Sequence, residues 1–221
     1  MKKVFLLFTL LFSLHCHAYL SDFSKGADGW EGDFTDFPVG EERFYELGWG
    51  WGDLPYTFEG HAKGLYSKGN NHSDDLFMFF KKKIEGFTPN SEYLCNYSLW
   101  IETNVPANSF GIGGSPGESV YFKIGGSPEE PKKVAKNGFY YLNVDKGNQA
   151  QGGENAKVIG DLANELVDPD YPTYEPKFLS GELLVKTDNR GDLWLFFGTD
   201  SGYEGFTKFY VASIEVELSA V

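Results

Sequence analysis

Cysteine is scarce in this 221-residue chain, which contains only Cys16 and Cys95. Cys16 lies in an N-terminal segment that we expect to be removed, and one remaining cysteine cannot form an internal disulfide. Cys95 falls on the apolar side of an alternating segment, so we expect a small buried hydrophobic residue there. The fold must therefore be stabilised by core burial, with or without a bound metal ion.

Positive charge is also in short supply, because 19 lysines and arginines stand against 32 aspartates and glutamates. The formal net charge is −13, and loss of Lys2 and Lys3 with the N-terminal segment changes it to −15. A surface this acidic repels phosphate groups. We therefore exclude a nucleic acid or an anionic membrane surface as a partner.

Long hydrophobic runs are missing except at residues 4–14, which follow two lysines. That run is too short for a bilayer, which needs ~20 apolar residues. The segment predicts a signal peptide over residues 1–18, cleaved after Ala18, and a secreted or periplasmic protein. Acylation of Cys16 is the alternative, but a histidine precedes it where lipoprotein signals carry a small residue. The remaining residues 19–221 suit a single domain.

Strand-like alternation is abundant, and so are aromatic residues (17%) and glycines (27). Residues 93–101 and 120–124 alternate with period two, and Tyr210 shares a predicted apolar face with Ile214. Residues 193–197 are apolar throughout, which predicts a strand covered on both faces. Only residues 156–167 have room for a short helix. We predict an all-β fold, an antiparallel two-sheet β-sandwich of jelly-roll type.

The motif G-G-S-P occurs twice in residues 110–131, FGIGGSPGESVYFKIGGSPEEP, and its first copy matches the G-x-S-x-G pattern of hydrolases. Pro116 follows Ser115 and has no N–H to donate to an oxyanion. The next residues alternate as a strand, whereas a nucleophile elbow or a phosphate loop needs a helix there. We predict two turns bounding a strand over residues 118–125, and we assign no catalytic residue.

The stretch GWGWGD, residues 48–53, places Trp49 and Trp51 between glycines, which predicts a loop. Large aromatic rings on a loop are suited to stacking against sugar rings. Asp53 and Tyr56 would bind hydroxyl groups. A possible second wall of the same groove is the loop of residues 148–154, with Asn148, Gln149, Gln151 and Glu154 as binding residues. The alternative is that both tryptophans cap the open end of the core.

Acidic residues are numerous enough to suggest a metal ion. Calcium prefers several oxygen ligands on loops, and Asp161, Asp168 and Asp170 lie in one acidic region. We expect one structural Ca²⁺ there, although no acidic region matches the helical calcium-loop pattern. The alternative is a set of solvated surface acids. A pair of these carboxyl groups could also serve a glycosidase, so the sequence leaves catalysis open.

Both ends of the chain carry a family resemblance. Residues 22–34, DFSKGADGWEGDF, resemble the opening of galactose-binding-like and carbohydrate-binding jelly rolls, and residues 183–218 resemble their last strands. The middle of the chain, including YLNVDKGNQAQGG at residues 141–153, is similar to a group of uncharacterised exported bacterial proteins. The resemblance implies a jelly-roll sandwich and carries over no ligand residue.

These observations favour an exported, non-catalytic binding protein for a carbohydrate or glycoconjugate. Two alternatives stay open at this point. One is a polysaccharide-active hydrolase or lyase that uses a carboxylate pair. The other is a protein-interaction module of an exported bacterial protein.

Overall fold

The computed structural model describes residues 16–58 and 60–221, so most of the predicted signal peptide lies outside the described residues. The described part of the chain contains strands and turns and no helix. Accordingly, no helix in it is long and apolar enough to cross a membrane. The strands are β1 (Cys16–Ser21), β2 (Glu31–Thr35), β3 (Phe37–Pro38), β4 (Gly48–Phe58), β5 (His61–Asn70), β6 (Leu76–Ile84), β7 (Glu92–Thr103), β8 (Val105–Pro106), β9 (Val120–Ser127), β10 (Lys133–Lys136), β11 (Phe139–Leu142), β12 (Ala156–Asp161), β13 (Ala163–Asn164), β14 (Glu175–Lys186), β15 (Leu193–Ser201) and β16 (Phe206–Ala220).

Two antiparallel sheets form the predicted β-sandwich. The first sheet has the order β14-β7-β16-β5-β4, and β1 also pairs with β16. The second sheet has the order β12-β9-β15-β6-β2. Two small sheets join β10, β11 and β3, and β13 with β8, the latter in parallel. Neighbours in both main sheets are mostly distant in sequence, as expected for Greek-key connections.

The core lies between the two sheets and follows the alternation of the strands. Cys95, Tyr97 and Leu99 of β7 are fully buried, and so are Phe122 of β9 and Phe197 of β15. Burial of each large apolar side chain contributes roughly 1.5–3 kcal/mol. The buried Tyr97 hydroxyl donates a hydrogen bond to the carbonyl of Gly125 (2.6 Å), so the one polar atom of this ring is satisfied across the sandwich.

A β-bulge in β16 corrects the predicted face of Tyr210. The pairing of β16 with β7 shifts register between Val211 and Ser213. Val211 and Ile214 therefore both face the core, whereas Tyr210 lies on the outer face, opposite Glu102. The extra residue is what moves Tyr210 off the face of Ile214.

The outer face of the second sheet is covered by residues 128–155, which we call the cover segment. Phe77, Phe79 and Phe196 point away from the main core and are fully buried under Val144 and its neighbour Leu142. The prediction that residues 193–197 form a strand covered on both faces is confirmed.

The two G-G-S-P copies have different structures. Ser115 starts a turn in which its Oγ accepts hydrogen bonds from the N–H groups of Gly117 and Glu118 (both 3.2 Å), and the strand β9 follows, as predicted. The second copy is a strand end and not the predicted turn. A Cβ atom at Gly125 would lie 2.1 Å from the Phe196 ring, so a glycine is needed for this packing. The helix considered for residues 156–167 is also wrong, because β12 and β13 occupy them.

Candidate functional site

Trp49 and Trp51 lie on the edge strand β4 and not on the predicted loop. Their partners across the strand pair are Ser67 and Leu65, so both indoles turn toward the inside of the sandwich edge. Trp49 meets the Phe80 ring edge-on at 6.1 Å and lies against Gly32, where a Cβ atom would come within 2.4 Å of the indole. It closes the gap between β4 of the first sheet and β2 of the second.

Trp51 is held from two sides. Its Nε1 donates a hydrogen bond to the Phe23 carbonyl (2.7 Å), and the Lys63 ammonium lies 4.9 Å from the centre of its ring. The same ammonium pairs with Asp53 at 2.5 Å. With Trp49 39% and Trp51 38% exposed, this arrangement matches the core-capping alternative better than a free stacking platform.

The outer face of the first sheet carries three neighbouring tyrosines, Tyr66, Tyr174 and Tyr210, which we call the tyrosine platform. Tyr66 and Tyr210 are paired across β5 and β16, with ring centres 6.0 Å apart. Tyr174 meets Tyr210 edge-on at 5.1 Å. The Lys208 ammonium lies 5.2 Å from the Tyr66 ring and 4.7 Å from the Tyr210 ring. Each of these three tyrosines is partly exposed.

Gly50, between the two tryptophans, makes room for this platform. A Cβ atom at Gly50 would lie 2.8 Å from Tyr66 Oη and 2.9 Å from the ring carbons, so the Tyr66 ring rests on the bare backbone of β4. One row further along the sheet, Trp100 and Phe178 extend the aromatic surface with ring centres 5.1 Å apart. The stretch GWGWGD, for which we predicted a loop, is therefore part of strand β4. The absence of a side chain at Gly50 leaves room for the Tyr66 ring on its outer face.

Glu102 of β7 lies beneath this surface, directly opposite Tyr210, and is 0% exposed. Its Oε2 accepts a hydrogen bond from the Tyr56 N–H (3.1 Å), while its buried Oε1 has no hydrogen-bond partner. Burial, aided by the charge of Glu175, raises the pKa of Glu102 to about 7 against the opposing effect of the Tyr56 N–H.

Residues 54–57 of β4, which we call the arm, provide the cover over Glu102. The pairing of β4 with β5 is irregular between Asp53 and Phe58. Within the arm, Leu54 packs over Gly64, where a Cβ atom would meet its Cδ2 at 2.5 Å. Of the four residues predicted around GWGWGD, Tyr56 is thus the one that the structure brings to the tyrosine platform.

The cover segment is held by a buried ion cluster. Asp200 Oδ2 accepts hydrogen bonds from Lys123 Nζ (2.7 Å), Lys146 Nζ (2.8 Å) and the Gln149 N–H (2.9 Å). Lys123 and Asp200 are 0% exposed, and Lys123 also donates to the carbonyls of Lys146 and Gln151. Burial raises the pKa of Asp200, but the two ammonium groups outweigh it, so that pKa lies below its usual range.

Two further carboxyl groups join this cluster. Asp36 lies 3.1 Å from Lys146 Nζ, and Asp36, Asp75 and Asp200 each place an oxygen within 4.8 Å of the others. Burial and the charges of Asp36 and Asp200 raise the pKa of Asp75 to about 8. Oδ1 of Asp75 and Oδ1 of Asp200 have no other hydrogen-bond partner, and one proton held between them would satisfy both. The Lys146 ammonium bridges Asp36 and Asp200 within this group of carboxylates.

The predicted second wall belongs to the second sheet. Gln149 Nε2 donates to the Asp74 carbonyl (2.7 Å), and the Glu154 N–H donates to Asp145 (2.9 Å). The Gln151 carbonyl binds Lys123, and Asn148 lines a cavity of about 550 Å³ above Asp36 and Asp75. These contacts attach the loop to the cover segment, whereas Trp49 and Trp51 lie on β4.

The predicted calcium ligands are engaged elsewhere. Asp161 pairs with Lys177 at 2.8 Å and accepts the Ala163 N–H, and Asp168 accepts the Asp170 N–H (2.9 Å). Among the described residues, the carboxylates of Asp161, Asp168 and Asp170 do not converge within 4.8 Å, unlike those of the ion cluster. The calcium site stays a prediction.

Sequence reasoning missed most of the platform. Glu102 stands on the polar side of an alternating strand, and that position gives no sign that the side chain is buried opposite Tyr210. Tyr210 was assigned to the core because a bulge leaves no mark in a period-two pattern. Tyr66 comes from β5 and Tyr174 directly precedes β14, and only the sheet pairing brings them together.

Comparisons with known proteins give structural neighbours only. No protein-family model matches the chain, and no curated protein matches it. The structure is similar to the CBM22-1 xylan-binding domain of Paenibacillus barcinonensis Xyn10C (TM-score 0.44, 11% identity, covering 92% of this chain and 94% of that one). It is also similar to the K1 cleaved adhesin domain of Lys-gingipain from Porphyromonas gingivalis W83 (0.41, 14%, 93% and 99%). A third neighbour is the mannan-recognising module TmCBM27 (0.40, 10%, 92% and 98%). At these values the site assignment rests on the side chains of this chain alone.

Proposed function

We propose that this protein is an exported, non-catalytic carbohydrate-binding protein whose site is the tyrosine platform on the outer face of the first sheet. The observation that carries the proposal is a group of three neighbouring, partly exposed rings: Tyr66 and Tyr210 on the paired strands β5 and β16, and Tyr174 beside Tyr210. Export would use the predicted signal peptide. Cleavage after Ala18 would leave residues 19–21 of β1 still paired with β16.

The chemistry of the platform suits a sugar ring. Aromatic faces bind the C–H-rich face of a pyranose, and nearby polar groups select the orientation of its hydroxyl groups. Lys208 and the three tyrosine hydroxyl groups supply donors and acceptors at the rim of the rings. Trp100 and Phe178 lengthen the surface beyond a single ring, which suits an oligosaccharide more than a monosaccharide.

The tryptophan pair of β4 is the weaker choice for the same function. Trp49 is packed between Phe80 and Gly32, and Trp51 is tied to the Phe23 carbonyl with Lys63 over its ring. Replacing these contacts with a sugar would cost stability, whereas at the tyrosine platform a sugar would replace the contact of Lys208 with the Tyr66 and Tyr210 rings.

A glycan array with the mature protein, followed by titration calorimetry on a hit, tests the proposal. The variant Tyr66→Ala/Tyr210→Ala should weaken binding at least tenfold, about 1.4 kcal/mol, because it removes two stacking rings. Tyr141→Ala, which removes an exposed ring from the cover segment, is the matched control and should bind like the wild type. If Trp49→Ala/Trp51→Ala abolishes binding and the tyrosine variant does not, the site lies on the β4 edge instead.

Hydrolysis is a second candidate function, and the raised pKa of Glu102 is the observation in its favour. A carboxyl group with a pKa of about 7, close to the charge of Glu175, is a suitable general acid. Release of reducing ends from mixed polysaccharides, abolished by Glu102→Gln, would support it. Binding without any release would leave the non-catalytic function.

A further inference from the structure

We propose that the ligand of the tyrosine platform is a glycan with a protonated amino group, and that this ammonium pairs with Glu102 Oε1. The inference rests on the carbohydrate-binding function proposed above and names the chemical class of its ligand. Glu102 would act as the residue that determines specificity.

The first argument concerns Glu102 Oε1, a buried oxygen without a hydrogen-bond partner. Buried carboxyl oxygens in proteins nearly always accept a hydrogen bond, since an unpartnered one costs on the order of 1–3 kcal/mol. Glu102 is 0% exposed, its Oε2 is bound by the Tyr56 N–H, and its Oε1 has no partner. A donor from outside the chain is the group that would complete it.

The second argument concerns the charge of the group that would donate a hydrogen bond to Oε1. Among the described residues, no lysine or arginine forms an ion pair with Glu102, and the nearby cations have other partners. Lys63 pairs with Asp53, Lys177 with Asp161, and Lys208 lies over the platform rings. A cationic donor therefore gains more than a neutral hydroxyl group, because it neutralises a charge that the protein leaves unpaired.

The surroundings of Glu102 favour a cation as well. Tyrosine faces attract ammonium groups, as the position of Lys208 between Tyr66 and Tyr210 already shows. The net charge of −13 draws cationic ligands toward the protein. A ligand that combines sugar rings with amino groups uses both the aromatic surface and the acid beneath it.

The arm must shift for the ammonium to reach Oε1. Residues 54–57 depart from the regular β4–β5 pairing, and Pro55, Tyr56 and Thr57 are exposed. The Tyr56 N–H contact is to Oε2, so Oε1 is the oxygen left for the ammonium group.

The inference carries a pH dependence. Burial, the Tyr56 N–H of the arm and Glu175 of β14 influence the pKa of Glu102. The other titratable groups on this face are Tyr174, Tyr210 opposite Glu102, and Lys208 over the Tyr210 ring. Since the pKa of Glu102 is about 7 in the free protein, protons compete with the ammonium below that pH. The preference for an amino ligand should therefore weaken on acidification.

Titration calorimetry with a glucosamine oligomer and an N-acetylglucosamine oligomer of equal length tests the inference. At about pH 7 the wild type should bind the amino form at least tenfold more tightly, and the preference should shrink at about pH 5. Glu102→Gln should bind both forms equally. Glu217→Gln, which removes an exposed carboxylate from the same sheet face, is the control for general charge attraction and should keep the preference.

A second readout does not depend on how well the variant folds. The ¹³C signal of the Glu102 carboxyl group should titrate near pH 7 in the free wild-type protein and at lower pH with the glucosamine oligomer bound. Equal affinity for the two oligomers, or a preference that survives in Glu102→Gln, would overturn the inference while leaving the platform as a glycan site. If no array glycan and neither oligomer binds, the proposed function and the inference both fail.

Discussion

The outer faces of the two sheets each contain a buried carboxyl group, but the two groups differ in their partners. On the second sheet, Asp200 Oδ2 has three donors, Lys123 has three acceptors, and the cover segment seals them in. On the first sheet, Glu102 is equally buried but keeps an empty oxygen under a short arm and a row of tyrosines. A charge that the chain neutralises with its own lysines holds the structure together, whereas we propose that a buried carboxyl group without a cationic partner marks a place for a ligand.

The difference has a structural origin in the connections. The β9–β12 connection is long enough to form the cover segment, which is fixed further by the Lys81–Glu130 pair at 2.6 Å. On the outer face of the first sheet the arm contacts Glu102 through the Tyr56 N–H, and Tyr66, Tyr174 and Tyr210 stay partly exposed. We therefore assign stability to the ion cluster and recognition to the tyrosine platform.

The largest expected effect comes from breaking the ion cluster. Asp200→Asn keeps the volume but leaves Lys123 and Lys146 without the carboxylate they share, and should cost about 3–5 kcal/mol. The measurement is the free energy of unfolding in urea. Lys63→Met, which breaks the solvent-exposed Lys63–Asp53 pair, should cost less than about 1 kcal/mol. Equal losses in the two variants would contradict the structural role of the cluster.

The next-largest expected effect is a pH dependence of the free energy of unfolding that arises from Asp75 in the ion cluster. The pKa of Asp75 is raised to about 8 in the folded state, so the folded protein holds a proton that the unfolded chain releases near pH 4. Stability from this group is therefore present in acid and lost as the pH rises toward 8, by a few kcal/mol at most. Asp75→Asn supplies a permanent donor to Asp200 and should flatten this decline, measured by unfolding at about pH 5 and about pH 9. An unchanged slope in the variant would argue against a proton held between Asp75 and Asp200.

A smaller loss of stability with rising pH is expected from Glu102 on the outer face of the first sheet. Glu102 is protonated in the folded protein up to about pH 7, and its contribution is lost as the pH rises through that value. Glu102→Gln needs no ionisation, so it should be more stable than the wild type at about pH 8, by roughly 2 kcal/mol. Thermal melts across the pH range check this, and a less stable variant at about pH 8 would mean that an internal donor already fills Oε1.

The smallest expected effect comes from Gly50→Ala, which should change glycan binding more than it changes the stability of the fold. Gly50→Ala places a methyl group 2.8 Å from Tyr66 Oη, which forces the ring to move, while Gly52→Ala meets nothing within 4 Å. We expect Gly50→Ala to weaken glycan binding several-fold with a loss of stability below about 1 kcal/mol, and Gly52→Ala to change neither. Titration calorimetry and melting temperatures on the two variants provide the check. Identical binding by both would show that Tyr66 does not contact the ligand.

The sandwich could be predicted from the sequence because period-two alternation reports directly on which face of a strand is buried. Residues 93–101 illustrate this, since Cys95, Tyr97 and Leu99 all reach the core. The position of Trp49 and Trp51 could not be predicted in the same way. Their flanking glycines indicate a loop by local propensity, but Gly50 is required on the strand because the Tyr66 ring packs across it.

The two buried acid sites depend on contacts that no local pattern reveals. The ion cluster joins Asp36, Asp75, Lys123, Lys146 and Asp200, which come from distant parts of the chain. The tyrosine platform depends on a single-residue bulge in β16 that turns Tyr210 outward. Local patterns in the sequence therefore predicted the strands, while long-range pairing decided which acids and aromatic rings lie together.

The most direct test of the central claim is an NMR titration of the aromatic rings with a glycan from the array. The ring signals of Tyr66, Tyr174 and Tyr210 should shift in a saturable manner, while those of Phe77, Phe79 and Phe196 under the cover segment should stay in place. Shifts confined to the rings under the cover segment, or to the indoles of Trp49 and Trp51, would contradict the assignment of recognition to the open face of the first sheet.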